Sequence, residues 1–123
     1  MEELQKSIFE FFSQFGIPVF IDGYARDSEQ MPYITFNFSS PEFFDEMLMS
    51  ARIWSRSSSF REVLNISDRI RNSISNLGAI LKLDNDKGAV ILYRESPFFQ
   101  YQNSDEQIIK IGYLKMLIKS YQY

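Results

Sequence analysis

The chain has 123 residues, which predicts one domain spanning residues 1–123, because domains cluster at roughly 100–150 residues. It contains no cysteine and no histidine, which excludes disulfide bridges, thiolate zinc sites and Ser-His-Asp or Cys-His catalysis. The net charge of −3 argues against a general nucleic-acid-binding protein, whose surface has to neutralise phosphates.

Aromatic residues make up 16% of the chain, with twelve Phe, seven Tyr and one Trp. This content predicts an aromatic-rich core. It is also typical of a protein that presents some of its rings to a partner, since aromatic side chains are enriched at the centres of interfaces.

The first segment has the spacing of an amphipathic helix. We expect Gly16 to end this helix and Pro18 to prevent its continuation, while Phe9 lies off the apolar stripe and should be partly exposed. The stripe itself consists of Leu4, Ile8, Phe11, Phe12 and Phe15.

Three strands are predicted next. Ile17–Asp22 has proline near its start, where no ladder hydrogen bond can be donated, and is therefore a strand beginning or an edge strand. Gly23–Met31 is polar and predicts an exposed loop. Pro32–Phe38 and Glu46–Arg56 both alternate apolar and polar residues, which favours strands, although Met, Leu and Ala in the latter leave a helix as the competing interpretation.

A second helix follows the serine run Ser57–Ser59. Ser59 with Glu62 has the spacing of a capping box, and Gly78 stands where a helix of this length would end. The apolar residues between them have helical spacing and comprise Phe60, Val63, Ile66, Ile70, Ile74 and Leu77.

The last third of the chain is predicted to consist of strands. Two apolar runs, Ala79–Leu83 and Ala89–Arg94, flank a polar tip and indicate a β-hairpin. We expect Ser96-Pro97 to break the ladder before a short strand at Phe98–Gln102. Ile108–Tyr121 alternates with apolar residues on both faces, which is typical of a central strand or of one covered by a neighbouring subunit.

Strands and helices do not alternate strictly, so the sequence predicts an α+β fold and not a doubly wound sheet. We expect a largely antiparallel mixed β-sheet with two α-helices packed on one of its faces. The other face is then left for a partner.

Carboxylates are the only residues that could carry chemistry. Asp84–Gly88 with Glu95 resembles a calcium loop, but Gly88 stands at the fifth position, where a ligand belongs. Asp22 with Asp105 and Glu106 could form a hydrolase pair, yet nothing in the sequence fixes their separation. We therefore expect no enzymatic activity, no bound metal and no cofactor.

A basic strip is the most informative charged feature. Arg52 and Arg56 flank Trp54 and lie near Arg61, and Lys110, Lys115 and Lys119 lie on the last strand. Of this strip we predict that Arg52, Trp54, Arg56, Lys115 and Lys119 contact a neighbouring subunit or partner, because charge complementarity across an interface fixes specificity. The competing interpretation is a solvated strand surface. The same prediction includes three charged residues of the polar loop, which are Arg26, Asp27 and Glu29.

The order of segments resembles the small tail-terminator, or tail-completion, proteins of long-tailed bacteriophages and prophages. The resemblance covers nearly the whole chain and rests on element order, without a diagnostic motif. Its segments are an N-terminal helix, then Met31–Phe36, Arg52–Ser57 running into a helix, Asp84–Gly88 with Val90–Arg94, and Ser96–Gln100 before an acidic patch and a long terminal strand.

The resemblance implies a structural virion protein that forms a homo-oligomeric, hexameric ring. Such a ring caps the tail tube and joins it to the head, so the implied partners are further copies, tail-tube proteins and head-connector proteins. The implied location is the tail or neck of the virion, and the cytoplasm of the bacterial host during assembly. Head-closure and tail-tube proteins have similar size and composition and stay open as alternatives.

A second class of function is also open. A small ligand-binding or regulatory module of a bacterial cell would have an apolar pocket between sheet and helices, with polar groups from Tyr93, Gln100 and Tyr101. In either case we expect no signal peptide, because Met1–Leu4 lacks a basic start, and no membrane span.

Overall fold

The computed structural model describes residues 2–23, 30–39, 45–83, 88–104, 106 and 108–121. Its elements in chain order are α1 (Glu2–Ser13), β1 (Val19–Ile21), β2 (Tyr33–Phe38), β3 (Glu46–Arg56), α2 (Arg61–Ser73), β4 (Ala79–Lys82), β5 (Ala89–Asn103) and β6 (Ile109–Tyr121). The predicted α+β fold is confirmed.

The strands form one sheet with the order β1-β2-β3-β6-β5-β4. β1 and β2 pair in parallel and the other neighbours pair antiparallel, so the predicted mixed, largely antiparallel sheet is confirmed. The predicted edge position of β1 and the central position of β6 are both observed, since β6 pairs with β3 on one side and β5 on the other.

The core lies between one face of the sheet and both helices. The predicted apolar stripe of α1 is buried, and Phe9 is 45% exposed as expected. On the sheet, the inward residues alternate along β3 and β6, and Ala51, Ile53, Leu114 and Met116 are all at most 1% exposed. Period-2 alternation places one face of each strand against the helices.

α2 packs directly on the backbone of β6 at Gly112. A Cβ added to Gly112 would overlap the side chain of Val63 and lie 2.6 Å from Cε2 of Phe99. Glycine at this position therefore lets the helix approach the sheet closely.

α1 connects the two edges of the sheet on this same side. Ser7 Oγ donates a hydrogen bond of 3.0 Å to the carbonyl oxygen of Lys82 on β4. Just after the helix, Arg69 of α2 donates a 2.8 Å hydrogen bond to the carbonyl oxygen of Phe15, which lies shortly before β1. α1 is thereby held by β4 in its middle and by α2 just beyond its C-terminus.

The prediction for the limits of the second helix was wrong. The N-cap residue is Phe60, whose side chain forms no cap, although the Ser59 hydroxyl accepts a 3.4 Å hydrogen bond from the N–H of Arg61. The helix ends at Ser73 because Ile74 is already extended. Glu62 accepts a hydrogen bond from the hydroxyl of buried Ser55 on β3, so it is not available for a capping box. Gly78 closes a separate turn, in which its N–H donates a hydrogen bond to the carbonyl oxygen of Ser75.

The predicted break of the ladder at Ser96-Pro97 is observed, because the pairing of β5 with β6 stops after Arg94 and resumes at Phe99 in a shifted register. The chain nevertheless stays extended through this dipeptide, so β5 is one strand of 15 residues. A bulge accommodates a proline without ending the strand, because the extra residues need not donate to the ladder. The predicted strand at Phe98–Gln102 is therefore the second half of β5.

Candidate interface on the open face of the sheet

The sheet face opposite the helices carries the five residues of the basic strip that are predicted to contact a partner. We call this face the open face. Its residues lie in rows that cross the central strands, each row made of residues directly opposite one another on neighbouring strands. Those rows are Tyr33, Trp54, Ile111 and Gln102; then Thr35, Arg52, Tyr113 and Gln100; then Asn37, Ser50 and Lys115; then Leu48, Leu117 and Tyr93; and finally Glu46, Lys119 and Ile91.

Aromatic rings form a continuous line across one end of the open face. Phe20 of β1 contacts Tyr33 of β2 edge to face, with ring centroids 5.8 Å apart. Tyr33 stacks on Trp54 of β3 at 5.9 Å, and the indole N–H of Trp54 donates a 3.0 Å hydrogen bond to Thr35 Oγ1. Trp54 is half-buried, so part of the ring system faces solvent.

Arg52 joins three strands in the middle of the open face. Its Nε donates a hydrogen bond of 3.1 Å to Gln102 on β5, and its Nη1 lies 3.6 Å from the carboxylate of Asp22, just after β1. The guanidinium carbon also lies 5.3 Å from the centre of the Tyr113 ring on β6, a cation–π distance. These contacts fix the guanidinium and leave the side chain 27% exposed.

The other cations of the strip are either more exposed than Arg52 or make fewer contacts than it does. Arg56 is exposed at the end of β3. Lys115 lies half-buried on β6 beside a shallow cavity of about 200 Å³ that Asn37, Leu48 and Ser50 also line. Lys119 places its ammonium 5.6 Å from the centre of the Tyr93 ring.

The fold thus brings Arg52, Trp54, Arg56, Lys115 and Lys119 to one face of the sheet. The three predicted residues of the polar loop, Arg26, Asp27 and Glu29, lie outside the described residues. Sequence reasoning missed Asp22 and Gln102 as partners of Arg52, because neither register nor neighbouring strands could be read from the sequence.

Of the three residues that would line a ligand pocket, Gln100 and Tyr101 line one open cavity of about 410 Å³ together with Arg52 and Tyr113, whereas Tyr93 does not line it. The Tyr101 ring also packs on Phe60, with ring centroids 4.5 Å apart. In the described part of the chain, no three acidic side chains are grouped closely enough to hold a metal ion. Neither described helix has the length and apolar character that crossing a membrane requires.

The sequence matches no protein-family profile and no curated protein. The fold, however, is similar to that of a chain in a solved structure described as the virion of a native gene transfer agent particle. The TM-score is 0.68 at 8% sequence identity, and the match covers 97% of this chain and 95% of the other. The two chains therefore share a fold across nearly their whole lengths.

Proposed function

We propose that this chain is a structural protein of a phage-like virion. The observation that carries the proposal is the fold match over 97% of this chain to a chain from the virion of a gene transfer agent. A match of this extent covers nearly the whole of both chains, and not a single substructure. A virion protein acts by assembly, so this function requires no catalytic residues.

Within that class we propose a tail terminator that forms a ring, caps the tail tube and joins it to the head. The order of sequence segments supports this role, as does a sheet with helices on one face only. The partners are further copies of the chain, tail-tube proteins and head-connector proteins. The location is the tail or neck of the virion.

The proposed contact surface is the open face, with Arg52, Trp54, Arg56, Lys115 and Lys119. Aromatic and arginine side chains together are typical of the residues that contribute most to binding. The charged loop residues Arg26, Asp27 and Glu29 belong to the same proposal. An acidic surface on a neighbouring copy or on the tail tube would complement the cations.

Size-exclusion chromatography with light scattering, over a wide range of protein concentration, tests the ring. We expect a species with six times the protomer mass of 14.5 kDa. A second arm mixes the chain with purified tail tubes and images them by negative-stain electron microscopy, where density at one tube end only is expected. A chain that stays monomeric and leaves the tubes uncapped would refute the terminator role and favour a small binding module.

A further inference from the structure

The two edge strands of the sheet run in the same direction. β1 is parallel to β2, and the four antiparallel pairings from β2 through β3, β6 and β5 to β4 reverse direction an even number of times. β4 is therefore parallel to β1 at the opposite edge of the sheet. A rotation about an axis along the strands would bring β4 of one copy beside β1 of the next without inverting either.

The outward backbone groups of β4 follow from its pairing with β5. Leu83 donates its N–H to the carbonyl oxygen of Gly88, so the groups of Leu83, and by alternation Leu81, face β5. Ile80 and Lys82 therefore direct their N–H and C=O groups away from the sheet. The Lys82 carbonyl already accepts the hydrogen bond from Ser7. Among the described residues, the structure shows no hydrogen-bond partner for the N–H of Ile80, for the C=O of Ile80 or for the N–H of Lys82.

The outward groups of β1 follow in the same way. Ile34 donates to the carbonyl oxygen of Pro18 at 2.8 Å, and Asp22 donates to the carbonyl oxygen of Phe36 at 2.8 Å. Pro18 and Asp22 thus face β2, and by alternation Val19 and Ile21 face away from it.

These two sets of groups are complementary in a parallel ladder, where one residue bonds to both neighbours of the residue opposite it. With Ile80 opposite Phe20 of the next copy, the N–H of Ile80 meets the carbonyl of Val19, and the N–H of Ile21 meets the carbonyl of Ile80. The N–H of Lys82 then meets the carbonyl of Ile21. The carbonyl group of Lys82, which already accepts the hydrogen bond from Ser7, takes no part in these three bonds.

The side chains agree with the same register. Ile80 is paired with Ile91 on β5 and lies on the open face, where it is 69% exposed. Phe20 lies on the open face too, against Tyr33. The register places the two apolar side chains side by side on a single continuous face, which is the arrangement of a stabilising cross-strand pair.

α1 reaches the outer edge of β4 through the bond from Ser7 to Lys82, and a groove of about 610 Å³ lies between the helix and this strand. β4 has the sequence Ala-Ile-Leu-Lys and contains neither proline nor a bulge. Of the features that usually protect an exposed edge, it has its short length and Lys82.

We propose that β4 of one copy pairs in parallel with β1 of the next and continues the sheet from subunit to subunit. The contact joins two different surfaces, so its repetition forms a ring when the rotation from copy to copy closes, and it places the open faces of all copies on one wall of that ring. This inference rests on the proposed function, since it names the contact by which the ring forms.

Mixed single-cysteine cross-linking tests the contact. The chain has no cysteine, so every thiol is an introduced one. Ile80→Cys and Phe20→Cys are made in separate chains, mixed and oxidised. We expect the mixed disulfide dimer in severalfold excess over either homodimer, because directly opposite residues on paired strands lie within the range of a disulfide. Leu64→Cys on the exposed side of α2, mixed with Phe20→Cys, is the matched control.

A dominant Ile80→Cys homodimer would overturn the proposal in favour of symmetric edge pairing, and yields equal to the Leu64→Cys control would overturn it altogether. Neither result would refute the proposed function if the wild-type chain still forms a ring or caps tubes. Conversely, if the two cysteine variants cross-link but the wild-type chain never assembles, the ring is refuted and the edge pairing is only a weak contact.

Ile80→Pro provides an independent test in case the Phe20 variant fails to fold. Its N–H faces away from β5, so proline removes the intersubunit donor without removing a bond inside the sheet. We expect Ile80→Pro to lower the oligomeric fraction while its circular dichroism stays that of the wild type. Ile80→Ala, which keeps the N–H, should retain more assembly. Equal assembly in the proline and alanine variants would contradict a backbone ladder.

Discussion

Single residues decide how closely the two layers of this protein approach. Gly112 lies under α2, and the side chains of Val63 and Phe99 occupy the space where a Cβ would stand. Glycine is normally unfavourable in the middle of a strand, because it has no side chain to pack and loses more entropy on folding. Here the close approach of the helix explains its presence.

We predict that Gly112→Ala destabilises the protein, although alanine is the better strand residue. Inserting a methyl group into a packed core usually costs about 1–3 kcal/mol, and urea denaturation measures this loss. Val63→Ala should make room for the added methyl group. The double variant should therefore lose less stability than the sum of the two single variants, and strict additivity would contradict the packing argument.

Two residues of the basic strip make contacts inside the sheet in addition to their proposed role at an interface. Trp54 bonds to Thr35 and stacks on Tyr33, and Arg52 joins β3 to β5 and β6. Removing either side chain would change folding and assembly together. Arg56 is exposed, so its substitution should change stability by less than about 0.5 kcal/mol and is the cleaner probe of assembly.

At the scale of elements, the attachment of α1 depends on α2. Arg69 on α2 bonds to the carbonyl oxygen of Phe15 at 2.8 Å and lies over the Phe15 ring, 5.8 Å from its centre. The residues after α1 have few other fixed partners on this side. One arginine thus holds the junction between α1 and β1 against the second helix.

We predict that Arg69→Ala loosens α1 before it unfolds the sheet. The loss of one hydrogen bond to a charged donor, at a side chain that is largely exposed, should cost about 1 kcal/mol. Hydrogen exchange should then accelerate at the amides of α1, while those of β3 and β6 stay protected. Arg61→Ala, at the exposed start of α2, is the control and should leave exchange in α1 unchanged. Uniform acceleration in sheet and helix would contradict the prediction.

For the whole molecule, the helices cover one face of the sheet and leave the other with aromatic rings and cations. The chain carries a net charge of −3, yet its open face includes Arg52, Arg56, Lys115 and Lys119. Such a local excess of positive charge in an acidic protein favours association with an acidic surface.

We predict that Arg56→Glu combined with Lys115→Glu weakens binding to the tail tube, and that added salt weakens binding of the wild type. Ionic screening shortens the range of such interactions to about 8 Å at physiological ionic strength. Co-sedimentation with tail tubes at increasing salt measures both effects. Arg61→Glu, a charge reversal on the helix side, should bind like the wild type. If all three proteins bind the tubes equally, the open face is not the surface that contacts the tube.

The sequence by itself determined the class of fold, the positions of both helices and nearly every strand. Period-2 alternation was sufficient to predict Glu46–Arg56 and the last segment as strands, because burial of one face imposes that pattern. The local pattern failed at the start of α2, where Glu62 bonds to Ser55 and does not cap the helix. At Ser96-Pro97 the ladder breaks as predicted, but β5 continues as a strand beyond the break.

Only the tertiary structure decided the strand order and registers, because pairing between distant segments leaves no local pattern. The tertiary structure alone therefore placed Asp22 and Gln102 beside Arg52 and set α1 across to both edges of the sheet. It also brought Gln100 and Tyr101 to one cavity and left Tyr93 outside it. The parallel direction of β1 and β4, on which the proposed ring contact rests, follows from the sheet topology and from no property of either strand alone.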